Sequence, residues 1–397
     1  MTSVKTPIKS SKKSNNFSFL QKLFIFRNSD IVKAPRNANY ILLLAIIAIL
    51  NIIGVVMILS ASSVTAISDY GSPWFFFQRQ LLWLTLGAVA FGVMSRIPYK
   101  VWQKYTVPIV ILSFVLLFVV LIPGIGIEVS GSRRWLGGGF LRFQPSEFAK
   151  FALVVFVADL LTRRASKLGS FKEVMWPIIL TSSLMMFLVV AEPDFDSAAV
   201  LSFIVASIII MSGVPLKFIG KIAAPFAALS VIVVLIEPYR RQRILTYLRP
   251  FDDSGNTGYQ ITQSLIALGS GQSDGVGLGA GKAKWLFLPN AHTDFIFAII
   301  GEELGFVGTM MVLGLFISFI LLGIKIILSC KDRFSALMAT GIVAWIGGQA
   351  IVNLMAVIGL IPVSGITLPF VSFGGSSLLV SMAAAGVLAN IARYSRT

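Results

Sequence analysis

The sequence has only one cysteine, Cys330, and one histidine, His292, among 397 residues. One cysteine excludes an internal disulfide and any metal site that needs several thiolates, and one histidine excludes a site built from several imidazoles. Acidic residues are also few: 17 Asp and Glu stand against 33 Lys and Arg, which gives a formal net charge of +16. Such an excess occurs in nucleic-acid-binding proteins, but its distribution along this chain argues against that partner.

Charged residues make up only 13% of the chain and hydrophobic residues 56%, and the mean hydropathy is +0.86. This composition lies outside the range of soluble globular proteins and is typical of a polytopic membrane protein. We therefore predict an all-α integral membrane protein, a bundle of about ten transmembrane helices. The apolar stretches that predict these helices are 41–60, 75–95, 106–123, 146–161, 174–191, 198–212, 221–237, 295–324, 335–358 and 376–392.

Residues 1–39 form a separate basic tail with eight Lys or Arg and one Asp. The tail has no apolar core, so it is not a cleaved signal peptide. Two interpretations remain open for it. Either the tail is disordered, or part of it is an amphipathic helix that lies on anionic lipid, with an apolar face formed by Phe17, Leu20, Leu23 and Phe24.

The Lys and Arg residues also predict the orientation of the ten-span domain, residues 40–397. If the N-terminus is cytoplasmic, the inner segments hold 22 Lys and Arg and 4 Asp and Glu, and the rest of the chain holds 11 and 13. The positive-inside rule therefore predicts a multi-pass protein of the cytoplasmic (inner) membrane with both termini in the cytoplasm. It also places 238–293 outside, as a loop between spans seven and eight that is long for a simple connection.

The stretch KAKWLFLPNAHTDFIFAIIGEELG, which begins at Lys282, holds the first candidate for chemistry. Asp294 lies where a polar loop meets the hydrocarbon layer, and an ionisable group at that depth indicates a functional site. A carboxylate beside an apolar run suits a general base, so we predict Asp294 as the catalytic residue. His292 is the alternative base, although a hydrogen bond within the loop is the simpler role for it. Of Glu302 and Glu303, at least one is expected to face the protein interior or a basic side chain.

The segment RRWLGGGFLRFQPSEFAK, which begins at Arg133 and runs into the fourth span, is a second candidate site. Glu147 and Lys150 are three residues apart, which places them on one helical face near the bilayer interface. Arg133, Arg134 and Arg142 can clamp a phosphate through paired guanidinium hydrogen bonds, so we favour an anion site. The alternative is that the Glu147–Lys150 pair neutralises itself while the arginines extend to lipid headgroups.

Two acidic residues in the motif EPDFD, Asp194 and Asp196, are weak candidates for a metal site. Two hard oxygen ligands at this spacing can hold a divalent cation, Mg²⁺ or Mn²⁺, against a diphosphate. A solvated turn, or a partner for the arginines, is the alternative. No other cofactor is expected.

Glycine-rich and irregular stretches complete the set. The glycines between Gly255 and Gly281 lack phosphate-loop spacing, so we expect either a mobile backbone that closes over a ligand or a simple flexible connection. The irregular stretch 361–373 is tolerated at membrane depth only where it lines a cavity or is buried in protein. It leads to Gly374, Gly375 and Ser376, which open the last span with free N–H groups that can face an anion.

In combination, five ordered motifs resemble the SEDS family (shape, elongation, division and sporulation) of bacterial peptidoglycan glycosyltransferases. The resemblance covers residues 40–393, and the motifs are RRWLGGGFLRFQPSEFAK, AEPDFDSA, GYQITQSLIALGSG, LPNAHTDFIFAIIGEELGFVG and LPFVSFGGSS. The GEELG sequence, the last motif and the long N-terminal tail are more similar to the division branch of the family than to its elongation branch.

This resemblance implies polymerisation of lipid II into septal glycan strands on the outer face of the membrane, with release of undecaprenyl diphosphate. It implies that Asp294 is essential and that Arg142 and Lys150 handle the substrate. The expected partners are a class B penicillin-binding protein transpeptidase, other membrane proteins of the division septum and membrane lipids, with no nucleic acid. Further motif residues expected to contact the substrate are Arg133, Arg134, Trp135, Gln144, Ser146, Glu147, Gln263, His292, Thr293, Glu302, Ser372, Gly374, Gly375 and Ser376.

Other functions remain open. A lipid II flippase would also use intramembrane charges such as Glu147, Lys150 and Glu302 as a polar path, although clustering of the motifs at the outer mouth favours a polymerase. An elongation-type polymerase of the same family is a second alternative. A pure scaffold of the division machinery would tolerate the loss of Asp294.

Overall fold

The computed structural model describes residues 37–129, 132–139, 141–215, 217–218, 220, 246–247 and 257–395. Within these ranges the chain is mainly helical. Its helices are α1 (Ala38–Tyr70), α2 (Phe75–Met94), α3 (Lys100–Lys104), α4 (Thr106–Leu121), α5 (Pro145–Arg163), α6 (Trp176–Ala191), α7 (Phe195–Met211), α8 (Thr257–Ser270), α9 (Ile296–Leu328), α10 (Arg333–Val357) and α11 (Gly375–Tyr394). A short 3₁₀ turn (Ala165–Lys167) and a π-helical turn (Phe171–Met175) precede α6.

Polar side chains fix several helix starts. Asn37 caps α1 by accepting a hydrogen bond from the Tyr40 backbone N–H at 3.0 Å, and Asp332 caps α10 by accepting one from Ser335 at 3.0 Å. These side chains satisfy N–H groups that have no partner inside the helix. At the other end of α1, Gly71 adopts φ 70°, the left-handed conformation that commonly ends a helix.

In the described part of the chain, six helical segments are long and apolar enough to cross a bilayer, namely Ala38–Tyr70, Phe75–Met94, Phe171–Ala191, Ile296–Leu328, Arg333–Val357 and Gly375–Tyr394. Two shorter apolar helices, α4 and α7, lie beside them, and α5 carries ionisable side chains on an otherwise apolar helix. Nine of the ten stretches predicted from the sequence coincide with these helices. The ends agree to within about a helical turn, except that α1 and α9 extend further. The prediction of a polytopic helical membrane protein is confirmed.

Some predicted features lie outside the described residues. These are the seventh span, 221–237, the amphipathic helix of the N-terminal tail, and most of the first part of the long loop. Helix α8, in the second part of that loop, was not predicted. It buries Ile261, Ser264 and Ala267, which follow one another at three-residue spacing on one face. The helix packs on α9, and the Ser264 hydroxyl donates to the Val357 carbonyl oxygen of α10 at 2.8 Å.

Helices α2 and α11 lie against each other over most of their length. At Gly386 of α11 the helices approach so closely that a Cβ atom would lie 2.6 Å from the Phe91 carbonyl oxygen of α2. Small residues allow this close packing in membranes, where dispersion contacts replace the hydrophobic effect. Helix α10 packs on α5, α7 and α9, so the helices that begin at the candidate site share one core.

The connection between the third and fourth predicted spans, 124–145, contains a small sheet that was not predicted from the sequence. Three antiparallel strands, β1 (Ile127–Val129), β2 (Ser132–Gly138) and β3 (Leu141–Phe143), pair in the order β1-β2-β3. In this register Glu128 is opposite Arg133 and Gly137 is opposite Arg142. The sheet therefore fixes the arginines of the second candidate site on a hydrogen-bonded backbone.

Candidate active site

A cavity of about 480 Å³ lies at one end of the bundle, between the sheet and the irregular segment that precedes α11. Its lining includes residues in the first turns of α5 and α7, Asp294 just before α9, and Gly374 and Gly375 at the start of α11. Four helix N-termini therefore meet at this cavity. Because the free N–H groups and the macrodipole make a helix N-terminus electropositive, the arrangement favours an anionic ligand.

Lys150 lies at the wall of the cavity in a buried hydrogen-bonded group. Its Nζ atom donates to Glu147 Oε1 at 3.0 Å and to Gln349 Oε1 at 3.2 Å, and both ionic side chains are nearly inaccessible. Trp345 Nε1 also donates to Gln349, at 3.0 Å. The second carboxylate oxygen of Glu147 is buried and has no hydrogen-bond partner within the described ranges. A buried carboxylate oxygen without a partner is costly, so a donor group of a ligand in the cavity would stabilise it.

Three arginines contribute to the cavity lining, namely Arg79 of α2, Arg134 of β2 and Arg142 of β3. Arg134 is positioned by the turn between α6 and α7, because its guanidinium donates to the carbonyl oxygens of Glu192, at 3.1 Å, and Pro193. Arg133 lies elsewhere: it pairs with Glu128 at 3.2 Å on the exposed part of the sheet and does not line the cavity. Its predicted role in substrate binding therefore lacks support from the geometry.

Asp194 and Asp196 both line the cavity, but protein groups engage their carboxylates. Asp194 caps α7 by accepting from the Ser197 N–H at 3.2 Å, and its other oxygen accepts from Gln144 at 2.9 Å and Ser146 at 3.2 Å. Asp196 Oδ2 accepts from the Gly365 N–H at 2.9 Å. Within the described part of the chain, no cluster of three or more His, Cys, Asp or Glu side chains could hold a metal. These carboxylates act as hydrogen-bond acceptors that join elements, and they do not fit a preformed metal site.

Glu192 is a buried acid next to this group, and neither of its carboxylate oxygens has a partner in the described part of the protein. Burial, reinforced by the charge of Asp194 and opposed by that of Arg134, raises the pKa of Glu192 to about 9. The side chain is therefore protonated at neutral pH, which removes the cost of burying a charge.

Asp294 is half-buried and lies on the turn that leads into α9. Three hydrogen bonds connect this turn, α10 and the irregular segment before α11. Asn353 Nδ2 of α10 donates to the carbonyl oxygens of Asp294, at 2.8 Å, and Ile366, at 2.7 Å, and the Phe373 N–H donates to the His292 carbonyl at 3.0 Å. Two other segments, α10 and the irregular segment, thus fix the position of Asp294 in the cavity.

His292 does not line the cavity. Its ring lies between two aromatic rings, with centroids 4.4 Å from Phe76 and 5.8 Å from Phe373. Burial, opposed by the charge of Asp69, lowers the pKa of His292 to about 4. The imidazole is neutral at pH 7, and its ring packs as an aromatic side chain behind the wall that carries Asp294.

The remaining predicted site residues divide into two groups. Trp135, Gln144, Glu147, Lys150, Thr293, Gly374 and Gly375 line the cavity with Asp294. The others do not line it: Ser146 donates to Asp194, Ser372 Oγ accepts from the Leu368 N–H at 2.8 Å, and Ser376 is buried. Gln263 is half-buried on α8. The geometry gives these four residues no direct contact with the cavity.

Glu302 and Glu303 are both buried, as expected for at least one of them, but their partners belong to the glycine-rich loop. Glu302 accepts from the N–H groups of Lys282, at 2.7 Å, and Ala283, and Glu303 accepts from Lys284 Nζ at 2.8 Å. Neither glutamate lines the cavity, so the assignment of Glu302 to substrate binding is replaced by a role in holding this loop.

The glycine-rich loop is bonded along its backbone to α9, at Gly305, where the helix is interrupted by φ 65° and ψ −162°. The Val276 and Gly277 N–H groups donate to the carbonyl oxygens of Glu302 and Glu303 at 2.9 and 3.1 Å. A Cβ atom at Gly275 would lie 2.2 Å from the Glu303 carbonyl oxygen. The structure therefore gives these glycines a different role from the expected mobile cover. They allow two backbones to approach each other closely.

Several residues that line or support the cavity were not identified from the sequence. Gln349 and Asn353 are four residues apart in an apolar span, a pattern that indicates one polar helical face and could have identified them. Arg79 could have been identified in a similar way, because it is the single basic residue of α2. Aromatic lining from Tyr70, Phe76, Trp83 and Phe373 gave none, because aromatic residues are common throughout the chain.

Comparison with known proteins identifies the family of this chain. The model of the FtsW/RodA/SpoVE cell cycle proteins matches residues 40–397. The chain belongs to this family. The SEDS resemblance found in the five motifs is thereby confirmed, and the family match covers the helices described above except the first two residues of α1.

Curated relatives of this SEDS chain are similar over nearly their whole length. A probable peptidoglycan glycosyltransferase FtsW of Geobacter metallireducens is 39% identical over 361 residues, which cover 91% of this chain and 96% of the relative. Stage V sporulation protein E of Bacillus subtilis is 40% identical over 360 residues, which cover 89% and 97%.

Solved structures share the fold. A chain from a structural study of polymerization and crosslinking by a peptidoglycan synthase complex superposes with a TM-score of 0.73 and 27% identity, covering 89% of this SEDS chain and 96% of that chain. Rod shape determining protein RodA of Thermus thermophilus superposes with a TM-score of 0.65 and 25% identity, covering 89% and 97%. The polytopic helical architecture is therefore that of known family members.

Proposed function

We propose that this protein is a peptidoglycan glycosyltransferase that polymerises lipid II into glycan strands and releases undecaprenyl diphosphate. The observation that carries the proposal is the presence of Asp294 and of cationic groups in one cavity at the end of the bundle. A lipid-linked sugar substrate needs a site where a polar head lies in a cavity and its hydrocarbon tail stays in lipid. The names of the FtsW relatives, which are called probable peptidoglycan glycosyltransferases, support the same activity.

In the proposed mechanism, Asp294 acts as the general base. Its carboxylate accepts the proton of the acceptor sugar hydroxyl while that oxygen attacks the anomeric carbon of the donor. The bond from that carbon to the diphosphate oxygen breaks, and the electron pair leaves with undecaprenyl diphosphate. Negative charge on this leaving group is stabilised by Arg134, Arg142, Lys150 and the N–H groups at the start of α11.

We also propose that the activity serves division, because the relatives named FtsW belong to that branch and the GEELG motif favours it. The cavity would face the outside of the cytoplasmic membrane, with both termini in the cytoplasm. The partner would be a class B penicillin-binding protein transpeptidase. The similar chain in a peptidoglycan synthase complex supports such an assembly.

The test is a polymerisation assay with labelled lipid II and the purified chain bound to its transpeptidase, reconstituted in liposomes. Glycan ladders on a gel are expected from the wild type. They should disappear in Lys150→Met, which removes a cationic group from the cavity wall. A second assay measures transfer of labelled lipid II between leaflets by the same liposomes. Transfer without polymerisation would identify a flippase and overturn the proposal.

A further inference from the structure

Three consecutive large apolar side chains are exposed on the loop that leads to Asp294. Trp285, Leu286 and Phe287 are 61%, 63% and 52% exposed. Leu286 has φ 66°, a backbone conformation that is uncommon for a residue with a side chain. Single exposed apolar residues are ordinary, but a contiguous exposed group indicates contact with a membrane or with another protein.

The loop that carries this group is tied to the break in α9. The Phe306 and Val307 N–H groups of α9 donate to the carbonyl oxygens of Gln272, at 2.9 Å, and Ser273, at 3.3 Å. Lys284, directly before Trp285, donates to Glu303 at 2.8 Å and to Ser60 of α1 at 3.0 Å. The loop therefore lies at the level of residues 302–307 of α9.

The length of α9 gives the depth of this level in a bilayer. The helix from Ile296 to Leu328 has 33 residues, about 50 Å, which exceeds the roughly 30 Å hydrocarbon core. The part after Gly305 is about 34 Å long at 1.5 Å per residue, and it matches that core. Residues 302–307 thus lie at the boundary between the hydrocarbon and the headgroups.

The surface of α9 next to this boundary faces lipid. Phe306 and Val307 are 62% and 64% exposed at the start of the spanning part, and Met310 and Met311 continue the exposed face. The apolar group of the loop is therefore held at the level where a lipid-facing helix surface begins. Trp is enriched at membrane interfaces, and Trp, Phe and Leu are the side chains that interfacial segments bury there.

We propose that Trp285, Leu286 and Phe287 insert into the lipid interface of the leaflet nearest the cavity. Lys282, which is exposed, extends toward the headgroup phosphates. Insertion holds the loop at headgroup depth. The loop continues to Asp294, seven residues after Phe287, so insertion of these side chains anchors the segment that carries Asp294 to the membrane surface.

Site-directed labelling tests this insertion without measuring polymerisation. Cys330 is the chain's one cysteine, so Cys330→Ser gives a background for single labels. Phe287→Cys, and separately Trp285→Cys, are labelled with the environment-sensitive dye NBD in the full chain reconstituted in liposomes. Val307→Cys is the lipid-facing reference and Glu128→Cys, on the exposed part of the sheet, is the water-facing control. Correct folding is checked by the thermal transition of each variant.

The two quenchers are phospholipids with a nitroxide near the headgroup and aqueous iodide. We expect the label at 287 or 285 to lose emission with the nitroxide lipid and to resist iodide, as at 307, whereas the label at 128 does the reverse. Iodide quenching at 285 and 287 equal to that at 128 would overturn the proposal. Protection from iodide that appears only after a transpeptidase partner is added would also overturn it and would identify a protein-docking surface.

Discussion

Lys284 Nζ lies 2.8 Å from Glu303 Oε1, and both side chains are buried beside the break in α9. The same carboxylate accepts hydrogen bonds from Ser60 of α1 and from the Gly279 N–H. This ion pair therefore joins α1, α9 and the loop that leads to Asp294. Because the loop has few large buried side chains of its own, the pair contributes much of what fixes its position.

Removal of the Glu303 carboxylate should strongly lower the free energy of unfolding. Glu303→Gln leaves the Lys284 ammonium buried without a counter-charge, which is expected to cost about 3–5 kcal/mol of unfolding free energy. The measurement is thermal or denaturant unfolding of the purified protein in detergent. The double variant Lys284→Met with Glu303→Gln removes both charges and should recover part of the loss. A single variant as stable as the wild type would contradict this account of the ion pair.

Two glycines of the loop provide a matched comparison. Gly275 and Gly279 have the same φ of 81°, but a Cβ atom would meet the Glu303 carbonyl oxygen at Gly275 and no atom within 4 Å at Gly279. Gly279→Ala should cost only the backbone strain, about 1–2 kcal/mol. Gly275→Ala should cost more and should lower polymerisation, because the loop must move away from α9. Equal losses of stability in the two variants would show that close approach is not the reason for Gly275.

Two arginines of the sheet test whether substrate binding depends on a positive charge inside the cavity or on positive charge in general. Arg142 lines the cavity, whereas Arg133 pairs with Glu128 on the exposed side. Arg142→Gln should raise KM for lipid II about tenfold or more, which corresponds to the loss of one charge-assisted hydrogen bond. Arg133→Gln should change KM little, since an exposed ion pair contributes at most about 1 kcal/mol. The reverse order of effects would place the anion site outside the cavity.

The half-buried imidazole of His292 predicts a pH dependence of stability. The pKa of His292 is lowered to about 4 by burial, from about 6.5 in the unfolded chain. Between these values the unfolded state binds more protons, so stability is full above about pH 6.5 and falls as the pH is lowered toward 4.

The measurement for this dependence is the thermal midpoint of the wild type and of His292→Gln between pH 4 and 7.5. Carboxylates titrate in the same range, so the informative quantity is the difference between the two proteins. The wild type should lose stability relative to the variant as the pH falls. A constant difference would mean that His292 is as easily protonated in the folded protein as in the unfolded chain.

Much of the architecture was predictable because hydrocarbon imposes one simple requirement. A span such as Arg333–Val357 must be apolar and helical, and both properties are visible in the sequence. The sheet that holds Arg142 was not predictable, since its strands are three to seven residues long and contain several glycines. Helix α8 was missed because the glycines after it dominated the interpretation of the whole loop.

The residues of the candidate site that could be predicted are those whose charge at membrane depth requires an explanation. Asp294 and Lys150 were identified in that way, and both line the cavity. The same argument assigned Glu302 to substrate binding, but in the structure backbone N–H groups of a distant loop hold its buried carboxylate. No pattern in the sequence predicts that pairing, which joins residues about twenty positions apart through an irregular backbone.

The central claim is that Asp294 is the general base of a glycosyltransferase. The most direct measurement compares glycan synthesis from labelled lipid II by the wild type, Asp294→Asn and Asp274→Asn, each bound to the transpeptidase. Asp274 is an exposed aspartate in the glycine-rich loop and does not line the cavity. The account predicts ladders from the wild type and Asp274→Asn, and none from a folded, partner-bound Asp294→Asn. Ladders of equal yield from Asp294→Asn would contradict it.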